Sequence, residues 1–202
     1  MIRRLSLLAV LMLLAWPLPA AADRPANILP RRDVAVLYRV TDRPGERVHE
    51  ALARYAAAQR LLRVETPSRG AGFVLVDPAR RSARMILPGG GEFIDLPFAQ
   101  DRRAALLLDP ATPFIRRGAL RIAGRDCTIW DVHAGRDSAQ FCLTQDGILL
   151  RAQGIAGEST GRSLEAIRVD TAQQPVALFQ LPAHARALNV QDALRAFLPG
   201  LR

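Results

Sequence analysis

The 202-residue sequence contains no lysine, although it carries 28 basic side chains, all of them arginine. Mechanisms that depend on a phosphate-loop lysine, a Schiff-base lysine or a Ser-Lys dyad are therefore excluded. Aromatic residues make up only 5% of the chain, and there are just two cysteines and three histidines. Half of the residues are apolar and 23% are charged, which excludes a disordered chain, a collagen and a disulfide-dense miniprotein. An ordinary globular protein remains.

The N-terminus has the order of a secretory signal. Two arginines precede an apolar run over residues 5–16, which is followed by two prolines and by small residues up to Ala22. The run is too short to cross a bilayer comfortably as a mature helix, and the small residues favour cleavage over a retained anchor. We predict a signal peptide over residues 1–22 and a single soluble domain over 23–202 in the periplasm. Asp23 stands where a lipoprotein has cysteine, so no lipid attachment is expected.

The chain without its first 22 residues is basic, with 26 arginines against 19 acidic side chains and a formal charge of +7. The arginines occur singly or in pairs and never in the longer runs typical of nucleic-acid arms, so no nucleic-acid partner is expected. Two explanations stay open. The arginines reflect the codon usage of a GC-rich genome, or they favour peripheral contact with an anionic membrane surface.

Short apolar segments separated by turn residues recur about every ten residues, which predicts an antiparallel sheet or barrel and disfavours a parallel α/β fold. The predicted strands lie at residues 33–40, 62–66, 73–77, 83–87, 92–96, 119–132, 139–144, 148–153, 163–170 and 176–179. Short helices are predicted at 98–110 and 192–198, each ended by a proline. Residues 46–63 are rich in helix formers, yet the same stretch could bend as a hairpin, and both alternatives stay open at this point.

The two cysteines lie on consecutive predicted strands. A loop formed by residues 133–136 places Cys127 directly opposite Cys142, where a disulfide is feasible and would be expected in an exported chain. The alternative is a metal site made by both cysteines with Asp131 and His133. A redox-active pair is disfavoured because no Cys-x-x-Cys motif is present. The Asp-Gly pair that follows, at 146–147, predicts a tight hairpin with two residues at positive φ.

One motif is typical of serine hydrolases. Residues 157–161 match Gly-x-Ser-x-Gly, which would make Ser159 a nucleophile with Asp170 and His184 completing a triad. The surrounding sequence does not predict the strand-turn-helix context that this motif requires, so a polar hairpin loop explains it equally well. The glycines at 89–91 predict a turn, since no lysine, serine or threonine follows to hold phosphate.

A set of large apolar residues falls on the predicted strands. Core packing accounts for most of them, but a curved sheet with few covering helices also encloses cavities. We predict that the ligand-lining residues are among Tyr38, Tyr55, Phe73, Leu75, Met85, Leu87, Phe93, Trp130 and Phe141.

The pattern resembles the periplasmic lipoprotein-carrier superfamily with the LolA/LolB-like fold, and most of all its exported relatives. The residues that carry the resemblance are 34–40, 63–65, 73–77, 85–87, 124–130, 142–151 and 178–182. The resemblance implies a mainly β (α+β) fold, in which a curved antiparallel sheet forms an incomplete barrel and short helices cover an apolar cavity that in the carriers holds acyl chains. It also implies that residues 46–66 form two strands.

This chain differs from the carriers in its cysteine pair and in lacking a recognisable lid-locking arginine. We therefore predict a non-enzymatic binding or carrier-like protein that holds an acyl chain or other apolar ligand and needs no cofactor or metal. The alternatives are a small serine esterase centred on Ser159 and an envelope-stress sensor that binds a protein partner.

Overall fold

The computed structural model describes residues 24–42, 45, 48–66, 72–96, 112–134, 136–157 and 160–188. These residues form twelve strands and one short 3-10 helix. The strands are β1 (Val34–Thr41), β2 (His49–Ala56), β3 (Leu61–Glu65), β4 (Phe73–Asp77), β5 (Ser82–Ile86), β6 (Glu92–Leu96), β7 (Phe114–Ile122), β8 (Arg125–Ala134), β9 (Asp137–Leu143), β10 (Leu149–Ala156), β11 (Ser163–Asp170) and β12 (Arg186–Ala187). The 3-10 helix covers Val176–Phe179.

All twelve strands belong to one curved sheet that does not close into a barrel, in the order β12-β6-β5-β4-β3-β2-β1-β11-β10-β9-β8-β7. Neighbouring strands are antiparallel, except that β12 runs parallel to β6. Most neighbours are joined by hairpins, and the pairing of β1 with β11 joins the first half of the chain to the second. The predicted mainly β fold with an incomplete antiparallel barrel is confirmed.

Residues 49–65 form two strands rather than a helix, as the resemblance implied. Val36 on β1 lies opposite Ala53 on β2, which lies opposite Val64 on β3. The alanines favour a helix locally, but pairing on both sides satisfies the backbone of β2 and places its small residues against neighbours on the sheet. The intervening turn has Arg60 at a φ of 56°.

Two predicted strands differ from the structure. The segment predicted as one strand at 119–132 belongs to two, β7 and β8, because Ala123 and Gly124 turn the chain with φ values of 49° and 74°. An Ala-Gly pair lacks the usual sequence signal for such a turn. Residues 176–179 form the 3-10 helix instead of a strand, directly after Pro175.

The hairpin predicted at Asp146 and Gly147 is present between β9 and β10, with a different turn. Gly147 alone has positive φ, at 86°. The Ile148 N–H donates to the Thr144 hydroxyl at 2.9 Å, and the Thr144 N–H donates to the Ile148 carbonyl at 2.9 Å. These bonds close a wider turn than the two-residue type predicted.

The predicted helices at 98–110 and 192–198 and the signal peptide at 1–22 lie outside the described residues, and they stay predictions. Within the described ranges, no helix is long and apolar enough to cross a membrane.

The two faces of β1–β6 differ in chemistry. The pairing registers place one set of side chains on the same face, and all of them are apolar except His49 at the start of β2 and Glu92 at the start of β6. We call this the apolar face, and it comprises Val34, Val36, Tyr38, Val40, Ala51, Ala53, Tyr55, Leu62, Val64, Val74, Val76, Ala83, Met85, Ile94 and Leu96.

The opposite face of β1–β6 is mixed, with apolar side chains beside ion pairs. The Arg63 guanidinium stacks 3.4 Å from the centre of the Phe73 ring and also pairs with Glu65. The segment that contains the 3-10 helix is hydrogen-bonded to this face. Arg63 donates to the Leu178 carbonyl at 2.8 Å, and Arg54 donates to the Gln174 side chain at 3.0 Å.

Candidate ligand-binding site

A leader of residues 24–33 precedes β1 and packs on the sheet. Ile28 contacts the core cluster of Phe114, Trp130, Val132, Phe141 and Leu143, whereas Leu29 contacts the cluster that contains Val36 and Tyr38. The leader thus spans two hydrophobic clusters, although half of its residues are polar.

Hydrogen bonds and an ion pair connect the leader to the β9–β10 turn. The Arg31 N–H donates to the Asp146 carbonyl at 3.0 Å, and the Asn27 side-chain amide donates to the Gln145 carbonyl at 2.9 Å. Arg32 adds an ion pair to the Asp146 carboxylate at 3.4 Å. Gly147 is required at this junction, because a Cβ there would collide with the Leu29 carbonyl.

A cavity of about 280 Å³ lies between the leader and the apolar face. Its volume is close to the lower end of the range seen for small-molecule sites. The lining comprises Ile28, Leu29, Pro30, Val34, Val36, Tyr38, Val40, Ala51, Ala53, Tyr55, Leu62, Val64, Leu143, Gly147, Ile148, Leu149 and Leu164. No charged side chain is among them, so the cavity suits an apolar ligand and would penalise a buried ion.

The hydroxyl group of Tyr38 is already used inside the protein. It donates to the Leu149 carbonyl at 2.7 Å and so links β1 to β10 across the wall of the cavity. Burial raises the pKa of Tyr38 well above its ordinary value, so the phenol stays neutral. The pKa of Tyr55 is also raised, chiefly by burial, with Arg60 opposing the shift.

A second pocket, of about 240 Å³, shares Val40 and Leu164 with the cavity. Phe141 and Ala152 add apolar surface, whereas several polar residues complete its lining. Those residues are Thr41, Asp42, Asp137, Gln153, Arg162 and Ser163. The two spaces are adjacent, and the accessible lining of both is mainly apolar.

The predicted ligand-lining residues lie at several different places in the structure. Tyr38 and Tyr55 line the cavity, and Phe141 lines the second pocket. Phe73, Met85 and Leu87 line a third pocket, of about 310 Å³, around β4 and β5. Trp130 packs in a core cluster against Phe114, with its ring perpendicular to the Phe114 ring.

Strand alternation separates three of these residues from the cavity. Phe73, Leu75 and Phe93 belong to the mixed face of β1–β6, opposite the apolar face. Successive side chains on a strand point to opposite sides of the sheet, so membership of a predicted strand does not identify the face.

Cys127 and Cys142 form a disulfide with a Cα–Cα distance of 5.4 Å. The predicted register is wrong, because Ala134 pairs with Asp137, and this pairing places Cys142 opposite Ile129. The disulfide therefore runs diagonally across the two strands. It also removes both thiols from the alternative metal site, and no group of three metal-ligating residues occurs within the described segments.

Ser159, the nucleophile of the alternative esterase triad, lies outside the described residues, so the triad stays a hypothesis. Asp170 ends β11 and accepts a hydrogen bond from the Ala172 N–H at 2.9 Å. His184 precedes β12, which lies seven places from β11 in the sheet order.

The fold is shared with known structures. No protein-family model and no curated protein matches the chain. An uncharacterised conserved protein from Thermus thermophilus matches with a TM-score of 0.55 and 13% identity, over 78% of this chain and 90% of that one. MucB matches with a TM-score of 0.50 and 14% identity, over 78% of this chain and 60% of MucB. This chain therefore spans less than two thirds of MucB.

MucB has a LolA-like fold, and the curved, unclosed sheet described above is of the same type. The chain therefore has a LolA-like fold. A LolA superfamily protein from Nitrosomonas europaea also matches, with a TM-score of 0.40 and 12% identity, over 76% of this chain and 92% of that one. Another match is the complex of Pseudomonas aeruginosa MucA and MucB.

Sequence reasoning missed the leader as part of the site. The signal that could have found it is the apolar triplet Ile28-Leu29-Pro30 inside a polar stretch. Three residues are too few to show a period, so their packing depends on where the β9–β10 turn lies in space.

Proposed function

We propose that this protein is an exported binding protein that holds an acyl chain or a similar apolar ligand in the cavity beneath the leader. The observation that carries the proposal is a cavity of about 280 Å³ lined without a charged side chain. An acyl chain gains roughly 0.8 kcal/mol for each methylene that it buries, so a site of this kind needs no ion pair to bind.

The neighbouring pocket would extend the site for a longer ligand. Phe141 and Ala152 add apolar surface there, next to Val40 and Leu164, which both spaces share. A chain longer than the cavity would continue across these residues and gain further apolar burial.

Export is proposed on two grounds. The N-terminal sequence has the order of a signal peptide, and the disulfide between Cys127 and Cys142 fits an oxidising compartment such as the periplasm. The predicted charge of +7 would favour peripheral contact with anionic membranes, where an acyl ligand is available.

The test fills the cavity with a side chain. Ala53→Trp places an indole on the cavity wall, and the matched control Glu50→Trp places one on an exposed position of the same strand. We expect isothermal titration with palmitate to give binding to the parent chain, a loss of about tenfold or more in affinity for Ala53→Trp, and little change for Glu50→Trp.

Folding is checked by near-ultraviolet circular dichroism of each variant. Equal palmitate affinity in the parent chain and in a folded Ala53→Trp variant would place the ligand elsewhere. Absence of binding to the parent chain by palmitate, a lysophospholipid and a diacylated peptide would overturn the proposal.

A further inference from the structure

The two edges of the sheet are built differently. β12 is only two residues long, whereas β7 has nine. β8 is the one strand paired with β7 among the described residues. The outer side of an edge strand presents N–H and C=O groups that can pair with another chain, and short edge strands limit this. β7 is not short, although it carries a bulge between Arg116 and Gly118.

The side chains of β7 are exposed along most of its length. The seven consecutive residues 115–121 are all exposed, including Ile115 at 41% and Leu120 at 39%. A strand this exposed contributes little to the core, so packing alone does not explain its length.

The charge of β7 has one sign. The strand holds Arg116, Arg117 and Arg121 and no acidic residue. Arg117 and Arg121 contact Asp131 and Asp126 on β8, yet their side chains stay 53% and 69% exposed. The edge therefore presents cationic groups next to apolar ones.

We propose that β7 binds an extended acidic segment of a partner protein by strand addition. The partner strand would pair its backbone with the outer edge of β7, its apolar residues would cover Ile115 and Leu120, and its carboxylates would approach the arginines. Backbone pairing supplies affinity in this type of recognition, and alternate side chains supply specificity.

Charge disfavours the registers of self-pairing that bring two arginines together. Antiparallel self-pairing centred on Gly118 and Ala119 would place Arg116 opposite Arg121, and parallel self-pairing in register would place each arginine opposite itself. Like charges opposite one another destabilise strand pairs. An acidic strand would instead place carboxylates opposite these arginines, and opposite charges stabilise a strand pair.

The test uses a fluorescent ten-residue peptide of alternating valine and glutamate, with the purified full chain and anisotropy as the readout. Arg116→Glu should weaken binding about tenfold. Arg186→Glu, which reverses an exposed charge on the opposite edge strand β12, should change binding by less than about twofold. Neither residue lines the cavity.

Backbone pairing is tested separately from charge. The same peptide with every amide N-methylated retains its carboxylates but has no donors, so it should not bind. Hydrogen exchange should slow in β7 when the unmodified peptide binds. Equal binding of the N-methylated peptide, equal binding of a valine-lysine peptide, or no binding at all would overturn the proposal. A dimer of the parent chain in sedimentation velocity, with slowed hydrogen exchange in β7 on dimerisation, would also overturn it, in favour of self-association.

Discussion

The two halves of the sheet use similar strands in different ways. Consecutive buried residues occur on β9, as in Phe141, Cys142 and Leu143, and on β1, as in Val34, Ala35 and Val36. In the first half, β1–β6, the strands β3 and β4 contain no fully buried residue. The apolar face is nevertheless continuous from β1 to β6. A strand pattern therefore determines which face is apolar, and the segments packed on that face determine whether it becomes core or cavity.

This difference separates stability from binding. The second half contains the disulfide and the aromatic cluster around Trp130. The leader covers part of the first half and leaves the proposed binding site beneath it. Substitutions at the buried positions of β8 and β9 should therefore affect unfolding more than substitutions at the half-buried or exposed positions of β3–β5 do.

The largest expected loss of stability comes from a charge introduced at a buried residue, compared with the same charge at an exposed one. Val132→Asp puts a carboxylate at a residue with 0% exposure and should lower the free energy of unfolding by about 4 kcal/mol. Met85→Asp, at a residue with 39% exposure on the apolar face, should cost about 1 kcal/mol or less. Urea denaturation measures both. If Val132→Asp fails to fold, Val132→Ala and Met85→Ala give the same comparison, and equal costs would refute the distinction.

Removal of the disulfide should cause the second-largest loss in the free energy of unfolding. The cysteines are 15 residues apart, so the double variant Cys127→Ala/Cys142→Ala should lose about 3 kcal/mol under the loop-entropy model. Hydrogen exchange should accelerate more in β8 and β9 than in β3 and β4. A uniform acceleration over both halves would show that the sheet opens as one unit.

A smaller effect is expected where the leader joins the two halves. Gly147→Ala introduces a Cβ against the Leu29 carbonyl at a φ of 86°, so it should displace the leader and cost about 2 kcal/mol. Gly124→Ala is the matched control, because its φ is 74° and no atom lies within 4 Å of the added Cβ. The control variant should lower the free energy of unfolding by about 1 kcal/mol.

Displacement of the leader should also change ligand access. The off-rate of bound palmitate should rise in Gly147→Ala and stay unchanged in Gly124→Ala. An unchanged off-rate in both variants would mean that the leader does not cover the site of binding.

The smallest effect concerns the pH dependence of the second half. Partial burial raises the pKa of Asp131, but hydrogen bonds from Gln140 at 3.0 Å and Arg117 at 2.6 Å outweigh it, so the pKa lies below its ordinary value of 3.8. A depressed pKa adds stability above the pKa of the unfolded chain, and this is lost as pH falls through the folded value.

The parent chain should therefore lose about 1 kcal/mol more than Asp131→Asn as the pH falls below about 4. Asp126→Asn serves as the control, because the Asp126 side chain is 80% exposed, and its acid transition should match that of the parent. Thermal unfolding at a series of pH values gives both comparisons. Identical acid transitions in all three proteins would show that Asp131 contributes no pH-dependent stability.

Much of the fold could be predicted from the strand pattern. Alternation and turn residues located β1 and β4–β6 to within a few residues, because those strands end at prolines, glycines and charged turns. β2 was left undecided by composition, since its alanines favour a helix until neighbouring strands pair with it. The β7–β8 turn was missed because Ala123 adopts a left-handed conformation that alanine rarely takes.

The candidate site was less predictable. Tyr38 and Tyr55 were named and line the cavity, whereas Phe73 and Phe93 point to the other face of the sheet. Their faces depend on register, which pairing decides over the whole sheet. The leader was missed because its apolar residues contact turns more than a hundred positions away in sequence.

The sequence by itself determined the mainly β composition of the described chain, the alternation that gives β1–β6 one apolar face, and the presence of two cysteines on consecutive strands. These are local properties, set by residue type and spacing of two. Only the tertiary structure decided which segments cover that face, how the cysteines align and where a cavity remains. Those features depend on contacts between residues far apart in the chain, and such contacts form only when the whole sheet is assembled.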